Sequence, residues 1–195
     1  MPALQAAVVR PRAPPAAEAD APANALVRET GRPTIVAAGA RFDRRRVYRY
    51  QLWRTWDASA PLLTCILLNP STADARRDDP TIRCCVRLAA RRGYGGIIVG
   101  NLFALRARDP RRLRRAHDPI GPHNDECLRA MLRGTGDVLA AWGNGGTWQR
   151  RGACVMALVQ ATPRVYCLGF TRLGQPRHPL YCPLARGLQA LALAR

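Results

Sequence analysis

Lysine is absent from this 195-residue chain, so its 31 basic side chains are all arginine, set against only 13 acids for a formal net charge of +18. A GC-rich coding sequence favours arginine, alanine and proline over lysine, isoleucine and asparagine, but it does not call for so few acids. The imbalance argues against basic partners and points to polyanions. Nucleic acid, DNA in the first place, is the default, because each phosphate neutralised releases a counterion. Metal-site spacing is missing too. The seven cysteines form no C-x-x-C pair and no Cys/His zinc pattern, so neither a metal nor another cofactor is expected. Their odd number, and the place of Cys65 and Cys167 inside apolar runs, suit free thiols in a reducing, cytoplasmic compartment. No apolar run approaches the roughly 20 residues of a membrane span. The amino terminus also lacks a basic segment followed by a long apolar one, so no secretory signal is expected. Nothing in the pattern calls for an oligomer, and a monomer is the expectation.

What is present divides at about residue 33. Residues 1–33 are dominated by Ala, Pro and Arg, and Pro11, Pro14, Pro15 and Pro22 fall where no helix or strand ladder can settle, which predicts a disordered arm. Residues 34–195 read as a single domain. Residues 47–53 suggest an edge strand with one face exposed. Nearly continuous apolar runs at 62–68, 96–100, 137–141 and 164–169 suit strands buried on both faces. Between them, helical spacing appears at 81–92, 122–133 and 148–161, with a basic helical turn at 110–116 and a closing Leu/Ala-rich helix at 183–194. The alternation predicts an α/β three-layer sandwich with a central, mostly parallel four-stranded sheet and helices on both faces.

Polar signatures follow each of the four apolar runs: Asn69-Pro70-Ser71-Thr72, Asn101, Trp142-Gly143-Asn144 and Arg177-His178-Pro179. Ligands of open α/β sheets bind outside the carboxyl ends of the strands, so such groups converge on one crevice. Asn69 offers a donor and an acceptor on a turn stiffened by Pro70, enough to hold a water or the edge of a polar ring. Asn101 can read a nucleobase edge, and Phe103 can stack on it or simply fill the core. The glycines after Trp142 let backbone approach a ligand. His178, held between two prolines, can donate a hydrogen bond to developing negative charge. Among the nearby acids, Asp79 before Pro80 fits a helix cap, and Asp74 is left open between capping and orienting water.

Taken together, Leu68-Asn69-Pro70-Ser71-Thr72-Ala73-Asp74, Asp79-Pro80-Thr81, Asn101-Leu102-Phe103-Ala104-Leu105-Arg106, Asp118-Pro119-Ile120-Gly121, Ala141-Trp142-Gly143-Asn144 and Gln175-Pro176-Arg177-His178-Pro179-Leu180-Tyr181 resemble a bacterial family known as domain of unknown function 1643. The order of these elements is also similar to that of the uracil-DNA glycosylase superfamily. What this second resemblance implies is hydrolysis of the N-glycosidic bond of a flipped base, with Asn69 positioning water, Asn101 reading the base and His178 stabilising its departing anion. Asp74 would be a further catalytic candidate. Pro70, Ser71, Phe103, Trp142, Gly143, Asn144 and Arg177 would bind substrate, and Arg106, Arg108 and Arg177 would serve phosphates. The chain departs from that pattern at Leu180, where many glycosylases carry serine, and it lacks the cysteine spacing of the iron–sulfur branch. Gly145 stands where histidine is frequent in the first family. An alternative of another class is a non-catalytic module that binds a base, nucleotide or nucleic-acid end in the same crevice. Asp74 separates the two: beside Asn69 it favours catalysis, and as a cap it favours binding.

Overall fold

Along strand β3 (Leu62–Leu67), Leu63, Cys65 and Leu67 are buried in one apolar cluster while Ile66 enters another. Side chains alternate across a strand, so a run with apolar residues on both faces must be covered on both. The computed structural model, which describes residues 32–191, supplies both covers. Helix α1 (Pro80–Ala90) contributes Ile82, Cys85, Val86 and Ala89 to the first cluster. Helices α2 (Asn124–Leu132) and α3 (Arg151–Val159) contribute Leu128, Met131, Val155 and Val159 to the second. Asp79 caps α1 by accepting the Ile82 N–H at 2.9 Å, with Pro80 opening the helix; this is the role its spacing suggests.

The sheet is larger and more mixed than the expected four strands. It has seven, in the order β1-β2-β4-β3-β5-β6-β7, where β1 is Ala37–Phe42, β2 Arg49–Thr55, β4 Gly96–Asn101, β5 Asp137–Ala140, β6 Arg164–Cys167 and β7 Gln189–Ala190. The inner set β4-β3-β5-β6 is parallel. A β1–β2 hairpin extends it antiparallel at one side, and β7 does so at the other. Strand β2 is therefore interior, not an edge, and its Arg49 and Arg54 are buried. Strand β1 carries no apolar alternation. It is legible only through its packing: Gly39 lies opposite Trp53, and a Cβ there would come within 2.0 Å of the indole.

Two helical expectations need correction. The one over 148–161 begins late, because Gln149 and Arg150 take left-handed φ values of 51° and 53°, and a 3-10 segment (Gly143–Arg150) precedes α3. The closing helix expected over 183–194 is not formed within the described residues. Gly187 interrupts its pattern, Leu184 and Leu188 pack on the first cluster, and Leu191 donates its N–H to the Val165 carbonyl at 2.7 Å. Tertiary pairing outweighs the helix propensity of Leu and Ala, and an interior glycine already costs about 1 kcal/mol. Residues 1–31, nearly all of the expected arm, lie outside the described residues.

Candidate functional site

All four inner strands run the same way, so their carboxyl ends share one side of the sheet, and there the chain forms a cleft of about 530 Å³. Leu68, Asn69, Ser71 and Thr72 line it from the loop after β3, and Trp142, Gly143 and Asn144 from the loop after β5. Thr171, Arg177 and His178 come from the loop after β6.

Asn69 is fixed by its own neighbours. Its Nδ2 donates to the Pro70 carbonyl at 2.9 Å and to the Ala107 carbonyl at 2.8 Å. Both partners are acceptors only, so the amide has one satisfiable orientation. Both N–H groups are spent, and Oδ1 is left to the cleft as an acceptor. Pro70 itself is buried, and its carbonyl also accepts the Ala107 N–H at 2.9 Å. It supports the site without lining it.

Opposite stand Trp142 and His178. The indole is buried and donates from Nε1 to Gln175 Oε1 at 3.0 Å, tying the β5 loop to the β6 loop. Gly143 completes the join: its φ of +69° favours glycine, its N–H donates to the Pro176 carbonyl at 2.7 Å, and a Cβ on it would meet His178 Cβ at 3.4 Å. Nδ1 of His178 accepts the Leu180 N–H in a long 3.4 Å contact, which leaves the ring proton on Nε2. Burial pushes the imidazole down to about 4, against the opposing pull of the Asp79 charge, so the ring is neutral near pH 7. A neutral imidazole donates one hydrogen bond, from its single N–H, without bringing a charge.

Several residues fall elsewhere than expected. Asn101 is 1% exposed, and its Oδ1 accepts from Arg49 Nη2 at 3.0 Å. It belongs to the last rung of β4, opposite Leu67, under Asn124, whose Nδ2 donates to the Asn101 and Leu102 carbonyls at 3.0 Å each. No face of it reaches the cleft, so it cannot read a base there. Phe103 is fully buried against Trp148, ring centroids 5.0 Å apart, and is core. Asp74 lies in the adjoining cleft, where its Oδ1 accepts the N–H groups of Arg76 and Arg77 at 2.8 and 2.9 Å. Those two bonds hold its carboxyl below the usual range.

Several residues that the sequence did not single out for the site line the cleft as well, Thr171, Asp79 and Tyr181 among them. Asp79 is 7% exposed; one oxygen caps α1, and among the described residues it forms no ion pair. Its spacing signalled the cap, and nothing in the spacing signalled that the capped end opens onto the site. Tyr181 is 79% exposed, with its ring 5.6 Å from that of His178. An aromatic three residues past a rigid histidine was the available clue.

Arg49, 2% exposed, underpins the wall. It donates from Nη1 to the Ala73 carbonyl at 3.1 Å and from Nη2 to Asn101, forms no ion pair among the described residues, and burial lowers its pKa to about 10 against the opposing pull of the Asp79 charge. Arg54 binds the same loop farther on, through Asp78 Oδ1 at 2.8 Å and the Asp74 carbonyl at 2.7 Å.

Among the described residues no group of three His, Cys, Asp or Glu side chains could hold a metal ion, and all seven cysteines are free. No helix there is long and apolar enough to cross a membrane. Neither the curated proteins nor the solved structures contain a match to the chain. A family model does match, over residues 49–180, from the buried Arg49 through the His178 loop. With more than half of its length inside that match, the chain belongs to the family described as protein of unknown function (DUF1643).

Proposed function

We propose that the cleft binds a nucleobase and hydrolyses its N-glycosidic bond. The observation that carries this reading is the pairing, in one cleft, of an asparagine reduced to an acceptor with a neutral histidine reduced to a single donor. Asn69 Oδ1 holds a water, and Asp79, a carboxylate in the same cleft, takes its proton, which an amide cannot do. The water oxygen bonds to C1′ as the C1′–N bond breaks, and the base departs as an anion. Nε2–H of His178 donates to the oxygen on which that charge collects. Tyr181 offers the ring on which the base stacks. The likeness of motif order to the uracil-DNA glycosylase superfamily supports the reaction class. Base selection, assigned to Asn101 on that likeness, falls instead to Asn144, Thr171 and Arg177 at the rim.

The test is a base-release panel of single-stranded and duplex DNA, RNA and nucleotides carrying uracil or modified bases. Asn69→Ala is expected to lower release by about 100-fold or more. Asp79→Asn does so while keeping the helix cap, since asparagine caps as well as aspartate. No release from any member of the panel would overturn hydrolysis. A second reading, base binding without hydrolysis, is favoured by the position of Asp74 outside the cleft. It predicts that the same panel gives salt-sensitive binding but no free base.

A further inference from the structure

Beside the base crevice lies a second cleft of about 720 Å³ with a different lining, formed by Arg46, Arg77, Arg106, Arg108 and Arg112 with the acids Asp74 and Asp78. The acids offset that charge only in part. Asp78 is already matched by Arg54 at 2.8 Å and Arg32 at 3.3 Å, neither of which lines the cleft. Asp74 spends one oxygen on two backbone N–H groups, and its single charge also faces Arg46 and Arg77, which leaves the five arginines in excess.

The cations are also held, not merely displayed. The guanidinium carbons of Arg46 and Arg106 lie 4.1 and 5.0 Å from the centre of one ring, that of Phe42, and Arg106 Nη1 donates to the Arg46 carbonyl at 3.1 Å. Neither arginine forms an ion pair among the described residues. Arg46 reaches this position with a left-handed φ of 55°, a conformation that L residues with side chains rarely adopt. Two like charges gathered on one ring repel each other until an anion lies between or across them. Ser71 and Thr72, whose hydroxyls suit phosphate oxygens, line both clefts, as do Ala107 and Arg108.

We infer that the arginine cleft is a phosphate subsite, and that it holds the phosphates of a polynucleotide strand whose base occupies the neighbouring crevice. The phosphate part stands on the arginine geometry alone, whereas the link to a base rests on the reading under Proposed function. Phosphate is shared by a strand and a free nucleotide, so the experiment separates those sources.

Binding of a short labelled single-stranded oligothymidylate is followed by fluorescence anisotropy against salt for the full chain. Arg46→Gln with Arg106→Gln is expected to weaken binding about tenfold and to flatten the log–log salt slope by about 1.4, two contacts at ~0.7 each. Arg77→Gln with Arg112→Gln, both exposed, shifts binding in the same direction without touching the Phe42 clamp. Arg114→Gln with Arg115→Gln, exposed and outside the cleft, changes it less than about twofold. Equal losses in all three pairs, or none in the first two, would overturn the subsite. Displacement of the strand by a nucleoside triphosphate identifies a free nucleotide as the ligand and overturns the strand assignment. Resistance to it supports the strand. Loss of affinity in the cleft variants with no base released from any substrate leaves the subsite standing and removes the base reading. Release that is indifferent to all the cleft arginines removes the subsite alone.

Discussion

The two clefts share a wall and differ in almost everything else. One presents single acceptors and donors, Asn69 Oδ1 and His178 Nε2–H, each made single because its other polar atom is spent on backbone. The other presents charge, with five arginines against two acids already engaged. Discrimination between neutral rings requires the first kind of surface, since a site that pairs a specific group rejects analogues lacking it. Capture of a polyanion requires the second, whose attraction is long-ranged and blind to sequence. Separate surfaces allow separate tuning, and the loop from Asn69 to Asp79 is where the two meet.

The largest break comes from the core beneath the crevice. Phe103→Ala is expected to cost about 3–5 kcal/mol, because it empties a buried ring site. Tyr181→Ala, by contrast, changes stability by less than about 0.5 kcal/mol while weakening base binding by about 1–3 kcal/mol. Urea denaturation and ligand titration of both variants check the pair. If Tyr181→Ala alone leaves base binding intact, the crevice has no stacking ring.

Arg49→Ala strikes the shared wall. It leaves Asn101 Oδ1 and the Ala73 carbonyl without donors, and a loss of about 3 kcal/mol follows at roughly 1–3 per orphaned group. Since both clefts lean on that loop, activity and strand binding should fall together in the folded fraction. A fall in only one of them, measured well below the melting temperature, would show that the wall does not couple them.

His178→Ala sharpens the contrast from the other side. Base release is expected to drop about 100-fold, while oligonucleotide affinity at fixed salt moves less than about twofold. Anisotropy and release assays on one preparation decide it.

The smallest effect is in pH. The folded imidazole of His178, lowered to about 4 by burial, binds its proton later than the unfolded one, whose ordinary value is near 6.5. Between those values the unfolded chain holds more protons, so stability is fully present above pH 6.5 and is lost as pH falls through 4. His178→Asn should flatten this part of the stability profile. An unchanged slope, in denaturation followed pH by pH, would show that the imidazole is not shielded from solvent.

The inner strands were legible because burial on both faces leaves a nearly unbroken apolar run, as from Leu62 to Leu67, where Thr64 alone is polar. Strands β1 and β7 were not, since β7 is two residues long and β1 is written in alanine, glycine and arginine up to its last residue, Phe42. The site divided along a similar line. Asn69 and Asn101 look alike in sequence, each ending an apolar run. Yet β4 continues its ladder through Asn101, whereas β3 has already left the sheet at Asn69. Two residues of strand length turn a cleft-lining side chain into a brace. Arg49 and Arg54 misled in the opposite sense, because arginine in a strand reads as a solvated face, and only the loop folded over them shows otherwise.

Across the crevice, Asn69 and Asn144 also differ in how long they last. Asparagine ages when the next residue's backbone nitrogen closes a ring on its side chain, and the product is an acid. Pro70 has no N–H with which to begin that reaction. Gly145, behind the exposed Asn144, has both the N–H and the freedom to reach. Storage therefore writes a new negative charge on one lip of the crevice and leaves the other untouched.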